Sequence, residues 1–494
     1  MDLSHWIERH ARFAPRDVAI RFDGEDLGYA ELDDRVRRAA AVLAGLGVRR
    51  GDAVAYLGLN HPAVLVLLFA CARLGAMLVP LNWRLAPPEH ARVLADCPPR
   101  VLFVEPGFAG HARSVDGAPA PTDLSVLERD TGGACAAEGR DDAPLLLCYT
   151  SGSTGAPKGV VLTQRALQWN AVNSAHMHDL TSSDRILTTL PLFHVGGLNI
   201  LTTPALRAGA RVTLHAKFDP EATFDAIERE RITLTVLVPA QLEALMGLPR
   251  WRRADLSSLR MITTGSMIVP EAFVRKASER GVPVIQVYGS TETCPIATYL
   301  RVGDALRKAG SAGVPALHCE VKVVDADGGE AAPGNDGEIL VRGPNVASGY
   351  WNAPDETAQT FVDGWYHSGD LGHFDGEGHL HVVARKKDMI ISGGENIYPA
   401  EVEGVLQECP TIEETCVVGR PDARWGETVV AAVVLKPGCR MTEAEVLALF
   451  QGRLARYKQP REVRFLDRLP RSALGKVQKE AVREAVRAAV AEGT

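Results

Sequence analysis

The segment Tyr149–Val160 reads YTSGSTGAPKGV and stands between two apolar runs, Leu145–Cys148 and Val160–Leu162. Its glycines let the backbone turn tightly and bring N–H groups close to a ligand. The loop also carries hydroxyl donors and one full positive charge, at Ser151, Ser153, Thr154 and Lys158. This combination is the chemistry of a loop that surrounds a polyphosphate.

The common P-loop is excluded because its pattern ends in Gly-Lys-Ser/Thr, whereas Lys158 follows Pro157 and precedes Gly159. Both flanking runs predict strands, so no helix dipole contributes. A Gly/Ser turn in an ordinary hairpin is the simpler interpretation. Three hydroxyls, three glycines, a proline and a lysine between residues 151 and 159 favour a phosphate loop instead.

The composition, 46% hydrophobic and 23% charged over 494 residues, is typical of a soluble globular protein with two or more domains. The net charge of −7 argues against a nucleic-acid partner. Nine cysteines without C-x-x-C spacing indicate free thiols in a reducing compartment. No secretory signal is visible, and the apolar stretch Pro62–Pro80 contains Arg73. We therefore expect a buried helix there, no transmembrane segment and a cytoplasmic protein.

The segment Tyr149–Val160 resembles the phosphate-binding signature of the adenylate-forming (AMP-binding) enzymes, which include acyl- and aryl-CoA synthetases, luciferases and peptide-synthetase adenylation domains. Further motifs extend the resemblance from about Tyr29 to Lys479. It implies an α/β fold with a large N-terminal domain of helix-covered β-sheets, a small β subdomain and a small mobile α+β C-terminal domain. The charge run Lys386–Asp388 marks the expected hinge, so the predicted domains are 1–385 and 389–494.

Apolar periodicity predicts β-α alternation, which favours sheets covered by helices. Strands are expected at 53–57, 101–104, 186–190, 211–214, 233–238, 259–263, 284–287, 415–418 and 429–435. Helices are expected at 29–46, 63–74, 165–176, 197–206, 221–229, 399–408, 443–454 and 480–491. The segment 310–383 predicts a mostly antiparallel β subdomain, and the Pro- and Gly-rich segment 117–142 a long surface loop.

The resemblance assigns the ATP phosphates to Thr150, Ser151, Gly152, Ser153, Thr154 and Lys158. Two later motifs, TGSM at 264–267 and QVYGSTE at 286–292, are assigned to the nucleotide as well. The expected adenine contacts are Gly265, Ser266, Met267, Tyr288 and Gly289. Thr291 is expected to hydrogen-bond the α-phosphate, and Glu292 to offer a carboxylate oxygen to Mg²⁺.

The motif HSGD at 367–370 ends in Asp370, whose carboxylate can accept both ribose hydroxyls, and Arg385 is expected beside it. Lys387 corresponds to the pivot of the family. Gly393, Gly394 and Glu395 are expected to line the pantetheine channel of coenzyme A. In LPRSALGK at 469–476, Lys476 matches the catalytic lysine. A mobile cation there would stabilise the negative charge that builds on the α-phosphate during attack by a carboxylate.

The motif PLFHVGG at 191–197 supplies His194 as a candidate wall of the acyl pocket. The other candidates are mostly apolar: Val195, Leu198, Val287, Cys294, Pro295 and Ile296. Such a wall suits a fatty or an aryl (hydroxycinnamic) acid equally well. The overall look is closest to bacterial feruloyl-CoA synthetases and compact fatty-acyl-CoA ligases.

The predicted function is an AMP-forming acid–CoA ligase, which first forms acyl-AMP from an acid and Mg-ATP and then transfers the acyl group to coenzyme A. A strong alternative is an adenylation enzyme that loads a carrier-protein phosphopantetheine. A luciferase-type oxygenase shares every motif, and a non-catalytic nucleotide-binding regulator would require loss of Glu292 or Lys476. Whether the protein is a homodimer stays open.

Overall fold

The computed structural model describes residues 2–129, 137–151, 157–392, 395–422, 425–451, 453–454, 456, 458–472 and 476–491. The chain divides into two compact units. The first comprises Met1–Lys322 and Leu340–Ser368, and the second comprises Val323–Ile339 and Gly369–Thr494. The boundary therefore passes through the strands Gly337–Arg342 and Trp365–Phe374. The hinge at 386–388 stays a prediction.

A nine-stranded sheet, counted over the described residues, forms the centre of the first unit. Its strands lie in the order Val314–Pro315, Thr298–Tyr299, Val284–Tyr288, Met261–Gly265, Leu234–Val236, Arg185–Thr188, Arg211–Leu214, Val18–Phe22 and Glu25–Gly28. The central strands are parallel, and the strands at both edges are antiparallel. Both faces of the parallel part are apolar because helices cover them, which confirms the expected β-α alternation.

Alternate residues of each strand pack on opposite faces of this sheet. Ile186, Met261 and Ile285 join a core cluster with residues of the helices Tyr29–Gly45 and Gln164–His178. Their strand neighbours join a second cluster with residues of Pro220–Glu230, Pro239–Gly247 and Glu271–Ser278: Leu187, Ile262 and Val284. The last two helices were not expected from the sequence.

The second sheet carries the hairpin predicted around the phosphate loop. In the described part of the chain, seven strands lie in the order Gly349–Tyr350, Pro157–Thr163, Pro144–Ser151, Met77–Leu81, Ala53–Leu57, Val101–Val104 and Pro121–Asp123. The two apolar runs pair in antiparallel fashion, with Cys148 opposite Val160. The described residues on both sides of the loop, 144–151 and 157–163, are strands, as predicted for the two apolar runs.

The segment 117–142, predicted as a long surface loop, contains regular structure. Pro121–Asp123 pairs in parallel with Val101–Val104, and a 3₁₀ helix follows at Leu124–Glu128. The carboxylate of Asp123 accepts a hydrogen bond from the Ser125 N–H at 2.8 Å, and Leu127 is buried. Capping and one buried side chain therefore order a segment without periodicity. Residues 130–136 lie outside the described part.

The strongly apolar helix Pro62–Leu74 is a buried core helix, as predicted. Twelve of its thirteen residues are buried, and it ends at Gly75 in the left-handed conformation, with φ 68°. No helix among the described residues is long and apolar enough to cross a membrane. Elsewhere in the first unit lie the helices Ser4–Phe13, Pro87–Asp96, Ala109–Arg113, Thr203–Ala208 and Pro354–Thr360.

The second unit contains two groups of strands. The part of Trp365–Phe374 that belongs to this unit pairs with Leu380–Arg385 in antiparallel fashion. Nearer the C-terminus, Glu395–Ile397, Ile390–Ser392, Gly426–Leu435 and Ile412–Asp422 form a sheet in this order, with Glu462–Phe465 beside Gly426–Leu435. The helices are Pro399–Gln407, Glu443–Ala448 and Lys479–Ala491.

The helix predicted at 443–454 is too long by six residues, since it ends at Ala448. The N–H groups of Leu449, Phe450 and Gln451 bond to carbonyls three residues back. This tighter pattern closes the last turn in place of α-helical bonds.

A buried histidine ties one covering helix to the nine-stranded sheet. His178 Nε2 is hydrogen bonded to Thr263 Oγ1 at 2.9 Å, and its Nδ1 to the Ser174 carbonyl oxygen at 2.9 Å. A neutral ring satisfies both contacts, with Nδ1 donating and Nε2 accepting. Complete burial lowers the pKa of His178 to about 4.

We expect acid to destabilise the first unit through His178. Its imidazole takes a proton near pH 6.5 when unfolded but stays neutral in the folded chain down to about pH 4. Unfolding therefore binds a proton in this window, and the free energy of unfolding falls by up to about 3 kcal/mol as the pH drops through it. Denaturant titrations near neutrality and at about pH 5 on wild type and His178→Gln should show a weaker pH dependence in the variant. Equal pH dependence would contradict the assignment, and His5→Gln, on a side chain 31% exposed, is the control.

Candidate active site

The predicted phosphate loop begins and ends on the hairpin of the seven-stranded sheet. Thr150 lies opposite Lys158, and its hydroxyl is 3.4 Å from the Lys158 carbonyl oxygen. Both residues are half-buried. Gly152, Ser153 and Thr154 lie outside the described residues, as does the side chain of Ser151.

Contacts from distant segments hold the hairpin on both sides. The Tyr149 hydroxyl donates to the Asp96 carboxylate at 2.5 Å. The Trp351 indole N–H donates to the Asp96 carbonyl oxygen at 3.2 Å, and its backbone N–H donates to the Gly159 carbonyl oxygen at 2.7 Å. A Cβ at Gly159 would lie 3.1 Å from the Tyr149 ring, so a glycine permits this close packing.

Glu292 lies in a 3₁₀ turn, Thr291–Thr293, which follows the strand Val284–Tyr288 after two intervening residues. Its carboxylate accepts a hydrogen bond from the Tyr350 hydroxyl at 2.9 Å, and its carbonyl oxygen accepts one from the Ala347 N–H at 2.7 Å. Thr291 and Glu292 are half-buried. One oriented carboxylate fits Mg²⁺, which takes one or two protein carboxylates together with phosphates and water.

The predicted purine contacts lie at the carboxyl ends of two neighbouring parallel strands. Gly265 pairs with Val287, and a Cβ at Gly265 would lie 2.4 Å from the Val287 carbonyl oxygen. Ser266 follows with φ 70°, and the Met267 side chain is 60% exposed. Ligands of open α/β sheets bind at such strand ends. Tyr288 is half-buried at the end of its strand.

The predicted acyl-pocket residues lie in one part of the first unit. Five of them share one core cluster: Val195, Leu198, Val287, Cys294 and Ile296. Pro295 is also buried and follows Cys294 through a cis peptide bond. His194 is half-buried directly before the turn Val195–Gly197, with its ring 4.7 Å from the Phe193 ring.

A hydrogen-bonded polar network lies immediately behind these apolar residues. The Asn199 side-chain amide donates to the Cys294 thiol at 3.5 Å, and the Asn199 backbone carbonyl oxygen accepts from the Asn170 side-chain amide at 2.7 Å. Asn170 Oδ1 accepts from the Ile296 N–H at 3.2 Å. Asn345 donates to the carbonyl oxygen of Ile296 at 2.9 Å. The three asparagines are fully buried, so this network fixes Cys294 and Ile296 from inside the core.

In the second unit, Asp370 and Arg385 face each other across the antiparallel pair. Arg385 Nε lies 3.1 Å from Asp370 Oδ1; Asp370 is 8% exposed, whereas the arginine side chain is 55% exposed. Lys476 is exposed to solvent and is close enough to both residues for their charges to act on it. Its pKa is lowered by the surrounding protein atoms and by the charge of Arg385, and Asp370 opposes that change.

Several predicted residues lie wholly or partly outside the described part of the chain. Gly393 and Gly394 lie outside the described residues, together with the side chains of Lys387 and Glu395. The backbone of Lys387 forms part of a short 3₁₀ turn, Lys386–Asp388, and that of Glu395 pairs with Ser392.

Sequence reasoning missed the residues that hold the predicted ones in place. Tyr350, Glu356 and the buried asparagines were not singled out. The aromatic pair Tyr350–Trp351 soon after the apolar run Ile339–Val341 was the available signal. This pair did not predict the contact with Glu292, because Tyr350 and Glu292 are 58 residues apart in the chain and meet only through strand pairing.

Comparison with known proteins places this arrangement in a family. The family described as AMP-binding enzyme matches residues 7–351, and the family described as AMP-binding enzyme C-terminal domain matches residues 401–476. The chain belongs to the AMP-binding enzyme family. The resemblance seen in the sequence is thereby confirmed.

Named relatives in this family are acid–CoA ligases. The chain is 58% identical over 501 residues to an indoleacetate–CoA ligase of Aromatoleum aromaticum, with 98% of both chains covered. It is 47% identical to a feruloyl-CoA synthase of an Amycolatopsis species, over 97% of this chain and 98% of the relative. A solved Bacillus subtilis o-succinylbenzoate CoA synthetase with its acyl-adenylate intermediate superposes with a TM-score of 0.90 at 35% identity, covering 97% of both chains. The predicted fold and the predicted class, an AMP-forming acid–CoA ligase, are confirmed.

Proposed function

We propose that this ligase activates a compact aromatic carboxylic acid and transfers it to coenzyme A. The observation that carries the proposal is the buried asparagine network behind the predicted acyl pocket. A long alkyl chain passing beyond Cys294 and Ile296 would separate these asparagines from their partners. Leaving buried polar groups unpaired costs about 1–3 kcal/mol each. A flat ring needs no such passage.

The relatives point the same way, since two are named for indoleacetate and for feruloyl-CoA, both of which contain an aromatic ring. The apolar character of Val195, Leu198 and Val287 suits the face of a ring. We include His194 as a wall of the pocket, as expected from its motif.

The nucleotide is assigned to the residues expected from the sequence. Thr150, Lys158 and the loop between them bind the β- and γ-phosphates, while Gly265, Ser266, Met267, Tyr288 and Gly289 bind the base. Thr291 donates to the α-phosphate, and Asp370 with Arg385 binds the ribose. Glu292 would hold Mg²⁺, which when bound supplies positive charge to the phosphate oxygens.

The first half-reaction is attack of the substrate carboxylate on the α-phosphorus. A new P–O bond forms to the carboxylate, and the bond to the β-phosphate oxygen breaks and releases pyrophosphate. Lys476 compensates the negative charge that grows on the α-phosphate oxygens. In the second half-reaction the thiol of coenzyme A attacks the acyl carbon and AMP leaves. Rotation at Lys387 would replace Lys476 by Gly393, Gly394 and Glu395.

The test is pyrophosphate release with a panel of acids, each with and without coenzyme A. We expect kcat/KM for indole-3-acetate or ferulate to exceed that for palmitate by at least about 10²-fold, because a misfitting chain loses several kcal/mol of transition-state binding. Lys476→Ala, run in parallel, measures contaminating activity. Faster turnover of octanoate or palmitate would refute the aromatic assignment. Sustained turnover without coenzyme A would indicate a carrier-protein acceptor.

A further inference from the structure

One side chain connects the two motifs assigned to the phosphates and the metal. Tyr350 belongs to the short strand Gly349–Tyr350, which pairs with Pro157–Thr163, the strand that carries Lys158. Its hydroxyl donates to Glu292 Oε1 at 2.9 Å. Tyr350 therefore pairs with a strand of the phosphate hairpin and is hydrogen bonded to the candidate metal ligand.

Tyr350 is held through its backbone, through its ring and by close packing at the preceding residue. Its backbone N–H donates to the Thr357 hydroxyl at 2.9 Å, and the Phe361 ring packs edge-on with centroids 5.7 Å apart. At the preceding residue, a Cβ on Gly349 would lie 2.6 Å from the Thr357 methyl group, so the strand approaches the helix Pro354–Thr360 closely. Few rotamers are open to a ring packed in this way.

Two charges adjoin the ring. Lys158 Nζ lies 5.6 Å from its centroid, within the range of a cation–π contact, and 3.8 Å from Glu356 Oε1. The Tyr350 hydroxyl carries the proton of the bond to the Glu292 carboxylate, so the phenol acts as the donor.

We propose that Tyr350 is a positioning residue that fixes the Glu292 carboxylate for Mg²⁺ binding. Its hydroxyl occupies Oε1 and leaves Oε2 to the metal, while its ring supports Lys158 at the neighbouring phosphates. The inference rests on the proposed role of Glu292. It deepens that role by adding the residue that sets the orientation of the carboxylate.

The substitution Tyr350→Phe tests the proposal because it keeps the ring and removes only the hydroxyl. Mn²⁺ binding in the presence of ATP and the absence of acid, followed by electron paramagnetic resonance, reports on the metal without turnover. We expect affinity to fall about 10-fold, the lower end for loss of a hydrogen-bond partner of a metal ligand. The Mg²⁺ concentration for half-maximal pyrophosphate exchange should rise equally, with an unchanged KM for the acid.

Two further variants make the outcome decisive. Tyr366→Phe is the matched control, since this hydroxyl is within 3.2 Å of Ser290 Oγ and is not bonded to Glu292; we expect wild-type metal affinity. Glu292→Gln should weaken metal binding more than Tyr350→Phe does. If Glu292→Gln weakens binding and Tyr350→Phe does not, the positioning role is refuted. If Glu292→Gln has no effect, the proposed metal site itself is wrong.

Discussion

Replacing Lys476 with alanine is expected to slow acyl-AMP formation by about 10²–10³-fold, the usual cost of removing one charge-stabilising donor. The substrate carboxylate and the α-phosphate are both anions, so negative charge builds on the α-phosphate oxygens during attack. Among the described cations of the second unit, only Lys476 is assigned to stabilise that charge. Transfer from preformed acyl-AMP to coenzyme A should stay near the wild-type rate. Rapid-quench measurement of each half-reaction separates the two effects.

Lys479→Ala is the matched control, because that lysine pairs with Glu403 at 3.4 Å in the same unit. It should leave both half-reactions unchanged. Equal slowing of both half-reactions by Lys476→Ala would mean a structural role instead.

The pH profile gives an independent check on Lys476. Because the pKa of its ammonium is lowered, the cation is lost at a lower pH than for an ordinary lysine. Adenylation should therefore decline as the pH rises through this lowered value. Lys476→Arg keeps its charge at higher pH, and it should move the alkaline limb upward. An identical limb in the variant would exclude Lys476 as its source.

The substitution Gly289→Ala is expected to reduce adenylation by about 10²-fold, the cost of a shift of about 1 Å in a reacting group. A Cβ at Gly289 would lie 1.7 Å from the Pro295 carbonyl oxygen and 2.6 Å from Thr293 Oγ1. Backbone must move to relieve that overlap, and it carries Tyr288 on one side and Glu292 on the other. Nucleotide binding by calorimetry and pyrophosphate exchange would measure the loss.

Gly303→Ala serves as the control, since a Cβ there meets nothing within 4 Å. It should behave as wild type in both assays. Wild-type exchange by Gly289→Ala would show that the turn accommodates a side chain and does not position the catalytic groups. Circular dichroism distinguishes a local shift from loss of the fold.

Local sequence patterns predicted the elements whose character is decided by neighbouring residues. The apolar runs around Tyr149–Val160 predicted a hairpin, and Cys148 indeed pairs with Val160. The apolar stretch after Pro62 predicted a core helix. The helices Pro239–Gly247 and Glu271–Ser278 were missed because they are only nine and eight residues long and begin without a side-chain cap.

By itself, the sequence determined the α/β class and indicated the family through its resemblance to known motifs. It also determined which residue types are available to bind a nucleotide, because few other functions require hydroxyls, glycines and charges at this spacing. Only the tertiary structure decided which side chains support them. Tyr350 reaches Glu292 through strand pairing with Val160, and Asn199 reaches Cys294 through packing of a helix against a turn. Contacts between residues far apart in the chain depend on sheet register and core packing, which no short stretch of sequence encodes.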